Sequence, residues 1–275
     1  KLSLKRVNEI IQEEKPEKSG ATSPIPDSKT IVITNLHFQY NPNLNKVLED
    51  INIEIPEGKV TAIVGESGSG KTTLLKLLLR FYTPSDGQIE VGGVSMEDIG
   101  LKKWRDRCGA VLQDGKMFND TILYNITLQE SELDIDKQKL SDAVRLSNLN
   151  EFINGRPLKL YTPLGTNGSG ISQGQKQRIL LARAIYKDPD FIFLDEATNS
   201  LDANNEKQIS ENLERILVGK TAVVIAHRLS TIRNAHKIIV LYKGKVVEQG
   251  SHEELIGKNA MYFKLIANQL SIPIL

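Results

Sequence analysis

Apolar residues come in short runs along this chain, and the spacing between runs changes from one part to the next. "IVITNLHFQY" (31–40) and "VLEDINIEI" (47–55) read as strands, the second partly alternating. Pro56-Glu57-Gly58 marks a turn before a third run, "KVTAIVG" (59–65). Residues 72–80 then read as a helix, and 116–187 are mostly helical by pattern. From 190 onward the short runs return as "FIFLD" (191–195), "TAVVIA" (221–226), "KIIVLY" (237–242) and "KVVEQ" (245–249). Helical segments around 203–217 and 251–270 alternate with them. Buried strands alternating with helices predict an α/β fold with a mostly parallel sheet. An antiparallel β subdomain at the start and an inserted helical subdomain at about 116–187 complete the expected architecture. No internal repeat interrupts it.

The first thirty residues break the pattern. Leu4, Val7, Ile10 and Ile11 have helical spacing, but "EEKPEKSGATSPIPDSKT" (13–30) has the charge, Pro, Ser and Gly content of a linker. The ordered domain is therefore expected over 31–270, with 271–275 a tail. The chain begins on Lys, which suggests a piece of a longer polypeptide. No stretch approaches the ~18 to 20 apolar residues that cross a bilayer, and no signal-peptide pattern opens it. Any membrane-spanning part is expected upstream of Lys1.

Composition adds exclusions. Over 275 residues, 35 basic and 34 acidic side chains leave a net charge of +1, which gives no support to a nucleic-acid partner. Cys108 is the single cysteine and cannot pair within the chain, so a reducing compartment and a buried structural thiol are expected.

The chemistry starts at "GESGSGKTT" (65–73), which lies between an apolar strand and an apolar helix. Gly and Ser are ordinary turn formers. Here Gly65, Glu66, Ser67, Gly68, Ser69, Gly70, Lys71 and Thr72 also fit G-x-x-x-x-G-K-[ST], which composition alone produces on the order of once in a hundred chains of this length. Glycines let backbone N–H groups turn inward around phosphate oxygens, Lys71 supplies a point charge, and the Thr72 hydroxyl can ligate Mg²⁺. The helix that follows points its positive end at the anion. A second acidic element must complete such a site, and "FIFLDE" (191–196) supplies one. Asp195 would face the metal, and Glu196 would polarise the attacking water. Acids at the start of the next helix would also suit its dipole without any catalytic role.

With "GSGISQGQKQRILLARAIYKDPDFIFLDEATNSLD" (168–202) added, residues 31–270 resemble the nucleotide-binding domain of an ATP-binding cassette (ABC) transporter. The resemblance implies ATP as ligand and Mg²⁺ as cofactor. It implies that "ISQGQ" (171–175) is the signature, with Ser172, Gln173, Gly174 and Gln175 facing ATP held by a second subunit. Gln173 and Ile171 depart from the usual Gly and Leu, and Ser172 is also a plain N-cap. Gln113 in "AVLQDG" matches the Q-loop, near Mg²⁺ and the attacking water. His227 matches the switch histidine, Tyr40 the aromatic that stacks on adenine, and Thr73 closes the ATP-binding set. Asp202 in "LDA" matches the dimer-contacting D-loop, although Asn199-Ser200 departs from the common Ser-Ala. "TPLGTNG" (162–168) resembles the exporter X-loop with Thr166 in place of an acid, and "MFNDTILYNI" (117–126) resembles the segment that forms a groove for the membrane domain.

The leading expectation is an ATPase domain that powers export after ATP-driven dimerisation, working with a transmembrane domain at the cytoplasmic face of the plasma membrane, the piece itself being soluble. "QDGKMF", "TPLGTNGSGISQGQKQR", "ATNSLDANNE" and the leading "RVNEIIQEE" look closest to bacterial peptidase-containing peptide or bacteriocin exporters. A soluble cassette acting on ribosomes or DNA would carry two cassettes or long coiled coils. A regulatory cassette without hydrolysis would not need both Glu196 and His227. A GTPase would need an Asn-Lys-x-Asp guanine reader, and none is present.

Overall fold

In the computed structural model the described residues are 23–195, 203–226 and 229–270. Among them, a four-stranded antiparallel sheet is made of β1 (Ile31–Phe38), β2 (Leu48–Ile55), β4 (Asp86–Val91) and β5 (Val94–Ser95), in the order β2-β1-β4-β5. A six-stranded sheet runs β10-β9-β3-β8-β7-β6, from β3 (Val60–Val64), β6 (Cys108–Val111), β7 (Phe191–Asp195), β8 (Thr221–Ile225), β9 (Lys237–Tyr242) and β10 (Lys245–Gly250). Its pairs are parallel except for the β9–β10 hairpin at one edge.

The described helices are α1 (Lys71–Leu78), α2 (Leu101–Asp106), α3 (Ile122–Thr127), α4 (Lys137–Leu146), α5 (Asn150–Asn154), α6 (Gln173–Tyr186), α7 (Ala203–Leu217), α8 (Leu229–Arg233), α9 (His252–Gly257) and α10 (Met261–Leu270). The expected helical insertion corresponds to α3 to α6. The strands β4 and β5 and the helix α2 add to the pattern read from the sequence.

The strand pattern explains the layering. Every residue of β7 is buried, as a strand covered on both faces requires. Its successive side chains feed two different cores. Phe191 and Phe193 pack with α1 and the antiparallel sheet, while Ile192 and Leu194 pack with the helices on the other face. On β8, Val223 and Ile225 divide from Ala222 and Val224 in the same way. The helix α1 buries Leu74, Leu75, Leu77 and Leu78, so it lies sandwiched between the two sheets.

Residues 23–30 run along this body. The Ser23 N–H donates to the Asp98 carbonyl at 3.1 Å, and Lys29 Nζ reaches Asp190 Oδ1 at 2.7 Å. No helix among the described residues is long and apolar enough to cross a membrane.

Candidate active site

The parallel strands β3 and β7 both flank β8, and their C-terminal ends carry the two motifs singled out above. At the end of β3 the chain makes a tight loop. Gly65 has no room for a side chain, because a Cβ there would lie 2.1 Å from the Leu241 carbonyl oxygen. Gly70 takes φ 103°, and its Cβ would lie 2.6 Å from Leu48 Cδ2. Glycine is favoured at Gly70 by the backbone conformation. Gly70 is the N-cap of α1 and offers no side-chain cap, so the first amides of that helix are left to the loop interior.

Lys71 is 7% exposed, and its ammonium donates to the carbonyls of Gly65 (2.9 Å) and Glu66 (2.8 Å). The lysine thus folds back over the loop that precedes it. The Ser69 hydroxyl is buried without a hydrogen-bond partner, a cost that a phosphate oxygen would remove. The Gly244 N–H, in the turn between β9 and β10, donates to the Ser69 carbonyl at 3.1 Å and braces the loop from outside.

The Thr72 hydroxyl donates to Asp195 Oδ2 at 2.9 Å across 123 residues of sequence, and Asp195 is 2% exposed. Among the described residues no group of three or more His, Cys, Asp or Glu is gathered to hold a metal. Mg²⁺ does not need one, since it is held by one or two oxygen ligands together with substrate phosphates and water. The Thr72–Asp195 pair fits that ion.

Tyr40 sits just past the end of β1, with 47% of its surface exposed. Its hydroxyl shares a 2.9 Å hydrogen bond with the Thr73 hydroxyl, which brings the predicted base-stacking ring to the helix that carries Lys71. Phe38 and Tyr82 stand edge-on to that ring at 4.9 and 5.2 Å between centroids. Gln113 lies exposed in the turn after β6, two residues beyond Val111, which is in register with Leu194. It therefore leaves the sheet beside Asp195. Glu66 and Ser67 are in the loop, and Gly68 has φ 78° with open space where a Cβ would be.

The residues expected to form the signature are at the start of α6. Ser172 caps the helix reciprocally with Gln175: the Gln175 N–H donates to Ser172 Oγ at 3.1 Å, and the Ser172 N–H donates to Gln175 Oε1 at 2.9 Å. Ser172 and Gln173 are exposed, while Gly174 is buried. None of these hydrogen bonds reaches residues 65–73. Glu196, Asn199, Ser200, Asp202 and His227 lie outside the described residues, as does the proposed helix near the N-terminus.

One tie was not read from the sequence. Arg183 on α6 donates from Nε to the Asn125 carbonyl (2.7 Å), from Nη2 to Asn125 Oδ1 (3.1 Å) and from Nη1 to the Lys116 carbonyl (3.1 Å), and its guanidinium lies over the Phe118 ring. Burial lowers the Arg183 pKa from its ordinary value. The helix α6 is thereby fixed to residues 116–125, the stretch that follows Gln113. Only the pairing itself, 58 residues apart, gives this tie its meaning, and no local pattern carries it. For Tyr82, by contrast, the adjacent aromatics Phe81-Tyr82 right after the α1 leucines are a usable signal. Cys108 is buried, and that burial pushes its thiol far above its ordinary pKa, as expected for a structural thiol.

Residues 48–199 match the family model for ABC transporters. Among known proteins, the chain is 44% identical over 233 residues to an ATP-dependent lipid A-core flippase of Cupriavidus pinatubonensis, covering 84% of this chain and 40% of that protein. It is 38% identical to the leukotoxin translocation ATP-binding protein LktB of a Pasteurella haemolytica-like species, over 98% of this chain and 38% of the other. Among solved structures it is similar to a bacterial Atm1-family ABC exporter with ATP bound, with a TM-score of 0.89, 32% identity, and coverage of 98% of this chain and 47% of that one. The chain thus spans about 40% of the length of these two relatives.

Proposed function

The chain belongs to the ABC transporter family as an ATPase domain, and from this premise we propose that it binds ATP at residues 65–73, hydrolyses it between two copies, and so powers export. The observation that carries the reading is the Thr72–Asp195 hydrogen bond, which joins two motifs 123 residues apart at one end of the parallel sheet. Phosphates would be bound by the loop amides, by Lys71 and by the open start of α1. Tyr40 would stack on the adenine. Thr72, Asp195 and Gln113 would hold Mg²⁺, which would supply positive charge to offset that of the phosphates.

Glu196 takes the proton of a water that attacks the γ-phosphorus, while the bond from that phosphorus to the bridging oxygen breaks. ADP and phosphate are the products. His227 and Gln113 orient the γ-phosphate and the water. Ser172 and Gly174 would serve the ATP of a second copy, and a two-fold pair would complete both sites; the support is that the capping bonds of Ser172 run to Gln175 within α6. Asp202 belongs to that contact.

The membrane-spanning partner belongs to the same longer chain, which places this domain at the cytoplasmic face. For the cargo we propose a polypeptide. The support is the likeness of residues 113–118, 162–178 and 197–206 to peptide exporters, together with the similarity over 98% of the chain to a protein named for leukotoxin translocation. The named lipid A-core flippases make a lipid the competing outcome when the full-length transporter is assayed in vesicles.

Assembly is the direct test. Glu196→Gln keeps shape and hydrogen bonding but cannot take the proton, so ATP should persist and the pair accumulate. Sedimentation should show monomer without nucleotide and dimer with saturating ATP. A monomer at tens of micromolar, about where a Kd near 1 μM must show, would refute the pairing.

A further inference from the structure

We propose that the cleft between α7 and the parallel sheet is a second ligand site, which takes a small amphiphile made of an apolar chain and one carboxylate. It goes beyond the nucleotide reading above and does not depend on it.

The cavity has a volume of about 730 Å³, a size that holds small molecules. Leu213 and Leu217 of α7 form one wall, and Val60, Leu194 and Val224 of the strands form the other. All five belong to the core on the helix side of the sheet or pack against it. Leu194 and Val224 are in register at the inner end. Val224 also lies opposite Ala62, three residues beyond Lys59, so the lining runs about 10 Å along the strands. Two turns leave the outer end open. A Cβ at Gly219 would meet nothing within 4 Å, and one at Gly58 would meet only the Gly219 carbonyl oxygen at 3.9 Å. An extended apolar chain therefore has a slot to enter, and its removal from water favours entry. The helix α1 packs on the other face of the sheet, so this cleft is separate from residues 65–73.

The rim sets the chemistry of the head group. Lys59 and His236 are exposed where β3 and β9 begin side by side, and both line the cavity. The His236 backbone N–H donates to the Val60 carbonyl at 2.9 Å, and the Val60 N–H donates to His236 Nδ1 at 3.3 Å. A neutral imidazole that accepts at Nδ1 carries its proton on Nε2. The sheet side of the rim therefore presents an ammonium and a ring N–H, two donors for one anionic head. Among the described lining residues the only carboxylate is Glu214 on α7, and it accepts from Asn234 Nδ2 at 2.6 Å. That negative charge already has an amide to meet it. Lys59 is the one lysine or arginine among the same residues, so a head with a single negative charge is the match. At the inner end Leu194 adjoins Asp195, so a chain lying in the cleft touches the strand that ends in the proposed metal ligand.

Three probes with one tail separate the head from the slot. Calorimetric titration and saturation-transfer NMR of the chain with octanoate, 1-octanol and octylammonium compare an anionic, a neutral and a cationic head. Octanoate should bind with a Kd of about 0.1 to 1 mM, as befits so small a ligand. Octanol should bind about three- to tenfold more weakly, the worth of one partly solvated charged contact, and octylammonium more weakly still. Lys59→Met, at an exposed position, should bring octanoate down to the level of octanol and leave octanol within about twofold. Ser210→Phe, which places a ring from α7 into the cavity, should abolish the binding of both.

Octylammonium that binds as tightly as octanoate would overturn the proposal, as would equal losses for octanoate and octanol in Lys59→Met. Unchanged binding in a folded Ser210→Phe protein would place the ligand elsewhere and overturn it too. If Ser210→Phe does not fold, the octanoate-to-octanol ratio in Lys59→Met decides, since a ratio equal to that of the wild-type chain sinks the idea. A wild-type chain that shows no octanoate binding at about 10 mM, well above the expected Kd, refutes the site outright.

Discussion

Two helices of this protein begin on a glycine- and serine-containing loop, and they begin in opposite ways. The start of α1 is uncapped: Gly70 takes a left-handed φ, no side chain accepts from the first turn, and Lys71 arches back over the loop carbonyls. The start of α6 is capped by its own sequence, with Ser172 and Gln175 answering each other's amides. An uncapped helix end needs a partner from elsewhere, and a buried one needs it more. The capped end is stable alone and exposed. The open start of α1 is thus the end that the proposed nucleotide would occupy. The start of α6 is left for something that arrives. A serine that caps still has its proton: Ser172 Oγ accepts from the Gln175 N–H and keeps its O–H free to donate to an anion.

The largest test of this contrast removes the charge at the open end. Lys71→Ala deletes the cation that would face the phosphates and also releases its hold on the Gly65 and Glu66 carbonyls. Charge-assisted bonds of this kind are each worth roughly 1.5 to 3 kcal/mol, so nucleotide Kd should rise at least about a hundredfold. Titration with a fluorescent ATP analogue checks it. Retained affinity would mean that α1 is not the phosphate end at all.

The next test asks what keeps that end open. At Gly65 a Cβ would strike the Leu241 carbonyl, which belongs to the sheet and has nowhere to go, whereas at Gly68 it would meet nothing within 4 Å. Gly65→Ala should therefore cost about 3 kcal/mol or more in urea unfolding. Gly68→Ala should cost only the left-handed backbone term, about 1 to 2 kcal/mol. Equal costs would show that backbone conformation, not close approach, sets the loop.

The two helix starts also differ in how far sequence could describe them. Both were legible as motifs, because each is a run of consecutive residues whose spacing has a chemical reason. The alternation of apolar strands and helices likewise announced the parallel core, since strands such as β7 and β8 are buried on both faces and read as unbroken apolar runs. The strands β4 and β5 did not announce themselves. "DGQIEVGGVS" is polar and glycine-rich, and only pairing with β1 makes a strand of its first half.

What joins the motifs was hidden for a different reason. Thr73 to Tyr40, Thr72 to Asp195 and Arg183 to Asn125 are polar pairs 33, 123 and 58 residues apart. A lone Asn or Thr has no periodicity to betray its partner. Asn125, fully buried in α3, reads in sequence as an ordinary polar residue, yet it accepts from Arg183 and donates to three carbonyls.

The test with the smallest effect on the single chain is also the one that separates capping from catalysis. Ser172→Gly gives α6 the same kind of start as α1. Glycine is itself a tolerated N-cap, so stability should fall by only a few tenths of a kcal/mol, and the melting curve should hardly move. The binding of ATP to the single chain should not change either, because the capping hydrogen bonds of Ser172 run to Gln175 and not to residues 65–73. Pairing is another matter. In a two-fold pair each copy would lose one hydroxyl donor to a charged acceptor, and two such losses of roughly 1.5 to 3 kcal/mol weaken association at least about a hundredfold. In the Glu196→Gln background with saturating ATP, sedimentation should therefore show monomers for Ser172→Gly at a concentration that gives dimers with Ser172 intact. If the dimer survives, Ser172 is a cap and nothing more, and the two helix starts differ in structure without differing in role.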